Sequence, residues 1–486
     1  MLNFNIAEKT NTKLLINIGA LFDIPTASIV TGKKGEAIYN GGLGQVTAIM
    51  GAGNNYKSTI LHYQMLSAAS KIAATTDTAM TTYDTEVNIS LDRLEDLASK
   101  FDTLPKNLIM SDNPTWSVTD KSMVSANDWA VNINKYAEAK AKEKKIIQKF
   151  EAFTDPYNKN ILELPTPTFV EIDSLTEFEA SSTRDMLTND LDSSDTNTYA
   201  MKQGAFKTKF LSTLPRLTNS SNTYVLMTAH IGEKINMATG PAVYQQPTKK
   251  LQYLKGGDTI KGVSSKFTFL LNNAWFAHTA SLLNNKTTKL PEYPRNKNDV
   301  TTTDLNTVKL TQLRSKSGPS GYPLEIVVSQ TEGVLPTLTE FHFIKESDRF
   351  GLIGNNVHYQ LALLPEVTLN RNTVRENIDK NSKLRRAINI TSELLQLNIF
   401  HNVRLETEGI NCTPEELYKD IKELGYDWDV LLNTRGYWVI DQYENKVPYL
   451  NTIDLLRMRK GKYFPYFLNE DKTLKKKYMP KGENNG

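Results

Sequence analysis

The sequence predicts an α/β protein in which a mainly parallel sheet is flanked by helices, followed by a small C-terminal α+β domain. Between residues 45 and 329, apolar segments of strand length alternate with helical patterns, which is typical of a parallel sheet covered on both faces. A glycine-rich turn near residue 51 joins an apolar strand to a long helix. Beyond about residue 360 the alternation ends and helical patterns dominate.

Apolar segments of strand length and helical patterns follow one another in a regular order. The predicted strands are 45–50, 78–83, 169–173, 222–228, 266–271, 308–313 and 324–329. The predicted helices between them are 56–74, 87–101, 137–151 and 200–214. The segment 137–151 is rich in Ala, Lys and Glu, so it is either a solvated helix or a basic ridge that binds DNA.

The organisation along the chain has four parts. We expect an N-terminal arm at 1–43, a candidate for self-association, and a core at 44–350 that contains an insertion at about 102–160. A C-terminal domain at 360–470 and a disordered tail at 471–486 follow.

The C-terminal domain is predicted from local helix and strand signals. It should contain helices at 373–397 and 413–424 and a short strand at 436–440. The second helix has Thr413 as its cap, Pro414 at its first position and Glu416 at its third, and Gly425 ends it.

Composition excludes several classes of protein. No run of 18 apolar residues exists, so we expect no membrane span, and the N-terminus lacks the apolar stretch of a signal peptide. Cys412 is the single cysteine and cannot form an internal disulfide. We therefore expect a cytoplasmic protein, in the host cytoplasm if the gene belongs to a phage. The formal net charge of +3 neither requires nor excludes nucleic acid.

The strongest local signal is the segment 51–58, Gly-Ala-Gly-Asn-Asn-Tyr-Lys-Ser. It follows the phosphate-binding pattern G-x-x-x-x-G-K-[ST] except at Tyr56, where the pattern has its second glycine. Loop amides would surround the phosphates of ATP, Lys57 would reach the β- and γ-phosphates, and Ser58 would ligate Mg²⁺. The alternative is a Gly/Asn-rich turn with a chance Lys-Ser. The candidate binding residues are Gly51, Gly53, Asn54, Asn55, Tyr56, Lys57, Ser58 and Thr59.

Two carboxylates end predicted strands. Asp173 closes the apolar strand 169–173, as a Walker B acid does, and would support Mg²⁺. Glu86 follows the strand 78–83 and could orient and deprotonate the attacking water. The alternative for each acid is an ordinary strand end, which for Asp173 includes a helix cap. Because carboxyl ends of parallel strands share one edge, we expect both acids and the phosphate loop in one crevice.

With these motifs, residues of about 40–345 resemble the RecA-like P-loop ATPases, most closely the phage UvsX-type recombinases. The resemblance is carried by Asn55-Tyr56-Lys57-Ser58, by Tyr83-Asp84-Thr85-Glu86, and by the order Ile172-Asp173-Ser174, Met201-Lys202-Gln203 and Thr228-Ala229-His230. It implies that Lys57 and Glu86 are catalytic, that Ser58 and Asp173 hold Mg²⁺, and that His230 senses the γ-phosphate. The alternative for His230 is a buried strand-end histidine.

The resemblance also implies single-stranded DNA as a partner. The segment 231–264 interleaves cations with aromatic rings, which suits phosphates and stacked bases; its alternative is a solvated loop. The candidate DNA-binding residues are Lys249, Lys250, Tyr253, Lys255 and Lys261. The other candidate loop, 177–200, is acidic, which argues against phosphate contact.

Arg314 and Lys316 stand at a strand end before a Gly/Pro-rich turn. In RecA-like oligomers such cations can reach the γ-phosphate on the neighbouring subunit, so the resemblance makes both candidate catalytic residues. The alternative is two surface cations.

The preferred function is an ATP-dependent recombinase that forms filaments on single-stranded DNA and promotes homologous pairing and strand exchange in recombination and repair. A DnaB-like hexameric replicative helicase is the second hypothesis, because the segment 314–321 also resembles that family. A KaiC-like regulatory ATPase is the third. Recombination mediators or replication proteins are further candidate partners.

Overall fold

The computed structural model describes residues 13–72, 78–112, 114–154, 160–180, 193–233, 258–260, 266–295, 303–355 and 357–479. The described part of the chain is an α/β structure with a large, mostly parallel central sheet flanked by helices. The predicted class of secondary structure is thereby confirmed.

The strands, in chain order, are β1 (Ser28–Thr31), β2 (Ala37–Asn40), β3 (Val46–Gly51), β4 (Ala79–Asp84), β5 (Trp116–Asp120), β6 (Ile147–Thr154), β7 (Ile161–Pro165), β8 (Thr168–Asp173), β9 (Thr223–Glu233), β10 (Asp258–Ile260), β11 (Asn273–Ala277), β12 (Ser281–Leu282), β13 (Leu305–Ser315), β14 (Pro323–Ser329), β15 (Gly333–Val334), β16 (Leu352–Gly354), β17 (Tyr359–Leu361) and β18 (Leu364–Leu369).

The α-helices are α1 (Asp23–Thr26), α2 (Lys57–Ile72), α3 (Leu91–Ala98), α4 (Ala126–Lys142), α5 (Ser193–Ser221), α6 (Lys266–Leu270), α7 (Pro336–Glu346), α8 (Val374–Lys380), α9 (Ser382–Phe400), α10 (Asn402–Glu408), α11 (Pro414–Glu423), α12 (Trp428–Leu432) and α13 (Thr452–Arg459). Short 3₁₀ turns lie at Lys144–Ile146 and Lys476–Tyr478. No helix in the described ranges has the length and apolarity needed to cross a membrane.

The central sheet has the strand order β15-β14-β13-β11-β3-β9-β8-β4-β5, with β10 paired to β9 and β12 to β13. The six strands from β11 to β5 run parallel to one another. Strand β3 lies in the middle and is buried along its whole length, as is α2 on most of its faces. This agrees with the apolar run and the buried helix that the sequence predicts, because strands covered on both faces are continuously hydrophobic.

Two predicted strands are wrong. The segment 266–271 begins with the short helix α6, and the strand follows at β11; a short apolar run has the same composition in either structure. The segment 436–440 forms bends, and only Arg435 makes an isolated bridge, to Tyr449. The predicted helix 137–151 ends at Lys142, and β6 begins at Ile147.

The predicted insertion also contributes to the core architecture. Its strand β5 pairs with β4 in parallel and forms an edge of the central sheet. Trp116, the first residue of β5, is fully buried. This part of the chain is therefore an extension of the sheet as well as an added surface structure.

The described residues of the predicted N-terminal arm are an integral part of the fold. The β1–β2 hairpin is held by the C-terminal region, since Ala37 N donates to both carboxylate oxygens of Asp454 at 2.9 and 3.0 Å. The buried Glu36 carboxylate accepts hydrogen bonds from Gln442 and Tyr443. Residues 13–43 are therefore not an arm, because their buried polar and apolar groups are paired with the rest of the chain.

The predicted C-terminal domain shares its hydrophobic cores with the central-sheet part of the chain. Trp438 packs on Phe153, with ring centroids 4.8 Å apart, and belongs to the same cluster as the core of the sheet. The predicted helix at 413–424 is confirmed as α11, with a capping box between Thr413 and Glu416. Of the tail predicted to be disordered, residues 471–479 pack against this region through Leu474 and Tyr478, and 480–486 lie outside the described residues.

Buried carboxyl groups lie between the sheet and the C-terminal helices. Burial raises the pKa of Glu340 to about 8 and that of Glu393 to about 7. Glu340 Oε1 accepts a hydrogen bond from Asn389 Nδ2 at 3.1 Å. Because the charged form of a buried carboxyl group is costly, these groups make folding depend on pH.

Glu340→Gln should increase the free energy of unfolding relative to wild type, and this increase should grow as pH rises. The folded protein retains a proton on Glu340 that the unfolded chain releases above about pH 4.5, so wild-type stability falls between pH 4.5 and 8. Glutamine keeps the oxygen that accepts from Asn389 and removes the ionisation. We expect no stabilisation at pH 4 and on the order of 2 kcal/mol at pH 8 by urea unfolding. The exposed Glu470→Gln is the control, and an equal gain at both pH values would contradict the assignment.

Candidate functional site

The register of the central sheet gathers the candidate residues at one edge. At the carboxyl end of β3, Gly51 lies beside His230 of β9 and Ala277 of β11. Two strands further on, Asp173 of β8 lies beside Asp84 of β4. This carboxyl edge is where the sequence places the crevice, and the candidate phosphate loop lies at its β3 end.

The phosphate loop is shaped by close backbone approaches. A Cβ at Gly51 would lie 2.6 Å from the Ala277 carbonyl oxygen, so a larger residue cannot occupy this position. Asn55 Nδ2 donates to the same carbonyl at 3.3 Å. The loop then leads into α2, which begins at Lys57. The first backbone N–H groups of a helix have no partners within it.

Tyr56 adopts the left-handed conformation, with φ at +56°, at the position where the common motif has glycine. This conformation costs a side-chain-bearing residue free energy that glycine avoids. The tyrosine is held by its hydroxyl, which accepts a hydrogen bond from Asn306 Nδ2 of β13 at 2.9 Å, and by packing against the core. Tyr56 thus has a backbone conformation that glycine favours, and it adds a contact to a neighbouring strand.

Lys57 is buried, and its Nζ donates to the Ala52 carbonyl within the loop. Burial lowers its pKa, and the carboxylates of Asp173 and Glu86 oppose that shift. The ammonium group therefore lies in the field of both candidate acids. A cation in this place can exchange a carbonyl oxygen for a phosphate oxygen without leaving the crevice.

Glu86 is positioned by a residue to which the sequence analysis gave no role. The buried carboxylate of Asp84 accepts hydrogen bonds from the backbone N–H groups of residues 86, 87, 88 and 89 at 2.8–2.9 Å. This fixes the loop after β4 and places Glu86 Oε1 3.3 Å from His230 Nε2. The sequence feature that marks Asp84 is its position as the last residue of β4, directly before the loop that carries Glu86.

Asp173 joins the ends of three strands. Its Oδ1 accepts from Thr228 Oγ1 on β9, and its backbone carbonyl accepts from Thr85 N after β4 at 2.8 Å. Thr85 Oγ1 in turn accepts from Ser174 N at 2.6 Å. The carboxylate is therefore held at the edge of the sheet, on the side of Lys57.

A buried polar chain that sequence reasoning missed lies beneath the crevice. His62 Nδ1 of α2 is 2.8 Å from Glu171 Oε1 of β8. Glu171 Oε2 accepts from Thr82 Oγ1 at 3.0 Å, and Thr82 Oγ1 accepts from Trp116 Nε1 at 2.9 Å. Burial alone would lower the pKa of His62, but the Glu171 carboxylate overrides it and raises that pKa. The chain connects the phosphate-loop helix to three strands.

Arg314 and Lys316 do not join the crevice of their own chain. Arg314 pairs with Ala274, at the amino end of β11, and Lys316 N donates to the Asn272 carbonyl at 3.1 Å. Both cations therefore lie at the sheet edge opposite the phosphate loop. A role at a neighbouring subunit's nucleotide stays a prediction.

The candidate DNA-binding residues Lys249, Lys250, Tyr253, Lys255 and Lys261 lie outside the described residues. The strands that flank most of this segment are described, and they pair antiparallel, with Asp258 opposite Glu233. Of the acidic segment 177–200, residues 181–192 are likewise outside, and α5 begins at Ser193.

Comparison with known proteins gives no assignment. No protein-family model matches the chain. No curated protein matches it in sequence.

The backbone at Tyr56 yields a comparison of two substitutions. Tyr56→Gly and Tyr56→Ala both remove the ring and its hydrogen bond to Asn306, but only glycine relieves the left-handed conformation. We expect the glycine variant to be more stable than the alanine variant by about 1 kcal/mol in urea unfolding. At the exposed helical position Lys135 the order should reverse. A less stable glycine variant at both positions would show that Tyr56 is not left-handed.

Proposed function

We propose that the chain is a RecA-like P-loop ATPase that acts as a recombinase on single-stranded DNA. The observation that carries this proposal is the convergence of Lys57, Glu86, Asp173 and His230 at one edge of the parallel sheet. A strand-loop-helix phosphate site with a metal-supporting acid and a water-activating acid is the composition that ATP hydrolysis needs.

In this proposal the phosphates of ATP lie over the loop 51–58. The N–H groups at the start of α2 and the ammonium of Lys57 stabilise the negative charge. Glu86 orients the attacking water and accepts its proton. His230 is in contact with Glu86, and this contact changes when a γ-phosphate or water takes up the hydrogen-bonding capacity of either side chain.

The residues present fit Mg²⁺. Ser58 offers a hydroxyl oxygen and Asp173 a carboxylate oxygen, which are hard ligands of the kind that Mg²⁺ takes together with substrate phosphates. One protein carboxylate is enough for such a site, which agrees with the finding that the described residues hold no cluster of three or more His, Cys, Asp or Glu suited to a metal. When bound, the ion neutralises phosphate charge.

Two parts of the chain would connect hydrolysis to DNA and to assembly. His230 lies on β9, which continues to Glu233 and leads into the segment with Lys249, Lys250, Tyr253, Lys255 and Lys261. A change at the γ-phosphate would thus reach the DNA-binding segment through one strand. Arg314 and Lys316 lie at the sheet edge opposite their own phosphate loop, so in this proposal they would reach only a neighbour's nucleotide.

Glu86→Gln should retain ATP binding and lose turnover at least 100-fold, because glutamine keeps the hydrogen-bonding shape but accepts no proton from water. Binding is measured with a fluorescent ATP analogue and turnover by phosphate release with single-stranded DNA. Lys57→Ala should lose both. The exposed Asp92→Asn on α3 serves as the control with normal activity. Normal turnover in Glu86→Gln would remove this residue from the mechanism.

Assembly distinguishes the recombinase from its alternatives. With a non-hydrolysable ATP analogue and single-stranded DNA, electron microscopy should show open helical filaments. Closed six-membered rings would instead indicate a DnaB-like helicase. ATP turnover that is independent of DNA, with neither assembly, would indicate a regulatory ATPase.

A further inference from the structure

A cavity of about 560 Å³ lies at the sheet edge opposite the phosphate loop. Five separate parts of the chain form it: the segment before β1, the β1–β2 hairpin, the end of β6, the residue that precedes β11, and the residues that follow β13. Its lining residues are Lys13, Leu15, Ser28, Val30, Thr31, Asn40, Phe153, Thr154, Asn272, Lys316 and Ser317. This volume is in the range of small-molecule sites.

The charge of the cavity is positive. Lys13 and Lys316 line it, and within the described ranges no carboxylate does so. Arg314 is close enough to Lys316 for the charges of the two side chains to interact. The buried Nε atom of Arg314 has no hydrogen-bond partner among the described residues. Partial burial, together with the charges of Lys13 and Arg314, lowers the pKa of Lys316. Three cations are thus held near one another without a described counter-charge.

The framework that holds the cations is made of specific contacts. Asn40 Nδ2 donates to the Lys13 carbonyl at 2.9 Å, and Asn40 Oδ1 accepts from Leu15 N at 2.8 Å, so the chain at Lys13 is fixed to the hairpin. Asn272 accepts from Val46 N through its side-chain oxygen at 2.9 Å. Its side-chain NH₂ group is the remaining donor.

The turn that carries Lys316 is also fixed. Ser315 Oγ accepts from Gly318 N at 2.9 Å. A Cβ at Gly318 would lie 1.8 Å from the Pro25 carbonyl oxygen, so the turn packs directly onto α1. Like charges repel and would separate if their backbone were free. Here the fixed backbone keeps the exposed Lys13 and Lys316 beside one cavity, an arrangement that suits an anionic ligand.

We propose that this cavity binds a phosphorylated ligand of mononucleotide size, at a site separate from the phosphate loop. The ammonium groups of Lys13 and Lys316 neutralise the phosphate oxygens. The hydroxyls of Ser28 and Thr31 and the amide of Asn272 donate further hydrogen bonds. Val30 and Phe153 provide apolar surface for the remainder of the ligand. The proposal does not depend on the proposed ATPase function; where both hold, Lys316 binds this ligand and Arg314 remains for the neighbour's nucleotide.

The test uses the full-length chain with Lys57→Ala, so that the phosphate loop cannot account for binding. Calorimetric titration with pyrophosphate should give one site per chain. Adding Lys13→Ala and Lys316→Ala should weaken binding at least 10-fold. Adding Lys33→Ala and Lys34→Ala, two lysines of the same hairpin that do not line the cavity, should leave it unchanged. Absent binding to Lys57→Ala, or equal binding to all three proteins, would overturn the proposal.

Two sources of the phosphate are distinguished in the same titration. If a free nucleotide is the ligand, AMP should displace pyrophosphate and a short oligothymidylate should not. If the phosphate belongs to a nucleic acid strand, the oligothymidylate should displace it at lower concentration than AMP does. Failure of both to compete, with pyrophosphate binding unaffected by the lysine substitutions, would show that the cavity holds no phosphate.

Discussion

The structure depends on the parallel pairing of β3, β9, β8 and β4. A buried strand must pair every backbone N–H and C=O group with its neighbours, because an unpaired buried group costs the free energy of a lost hydrogen bond. The register of these four strands is therefore fixed along their length. The carboxyl ends of the four strands therefore lie at one edge of the sheet, and the loops that follow these strands start from fixed positions.

Polar contacts at and below this edge fix the positions of the candidate site residues. Asp84 fixes the loop that carries Glu86, and Thr85, Ser174 and Thr228 connect strand ends around Asp173. Beneath them, Glu171 is paired with His62 and bonded to Thr82. Burying this pair has a desolvation cost that is offset only when the partners are well placed. This ion pair connects α2 to β8 at a defined position along the helix.

Sequence patterns predict those parts of the site whose residues lie next to one another in the chain. The phosphate loop, Glu86 and Asp173 each follow an apolar strand, so their position at the carboxyl edge follows from the strand pattern and the rule for parallel sheets. The pair between His62 and Glu171 has no local pattern, and Thr82 and Glu171 are 89 residues apart. The left-handed backbone of Tyr56 could be expected from the glycine it replaces, but its contact with Asn306 could not.

The fold as a whole shows the same division. Strands 45–50, 78–83 and 169–173 are found within one residue of their predicted bounds. The run 266–271 is as long as the first of these, but the composition of so short an apolar run does not distinguish a helix from a strand. The arm at 1–43 was predicted from its mixed composition, yet its described residues are buried against partners near residues 438–454. Only the folded structure brings those partners together.

Contacts between the β1–β2 hairpin and residues 442–454 determine when the protein can finish folding. The bonds from Ala37 to Asp454 span 417 residues, and Glu36 stays buried only when Gln442 and Tyr443 are present. At a synthesis rate of about 5–20 residues per second, the ribosome needs about 20 to 80 seconds to make the intervening chain. Throughout that interval the β1–β2 hairpin lacks its partners, so it acquires its native surroundings long after it has been synthesised.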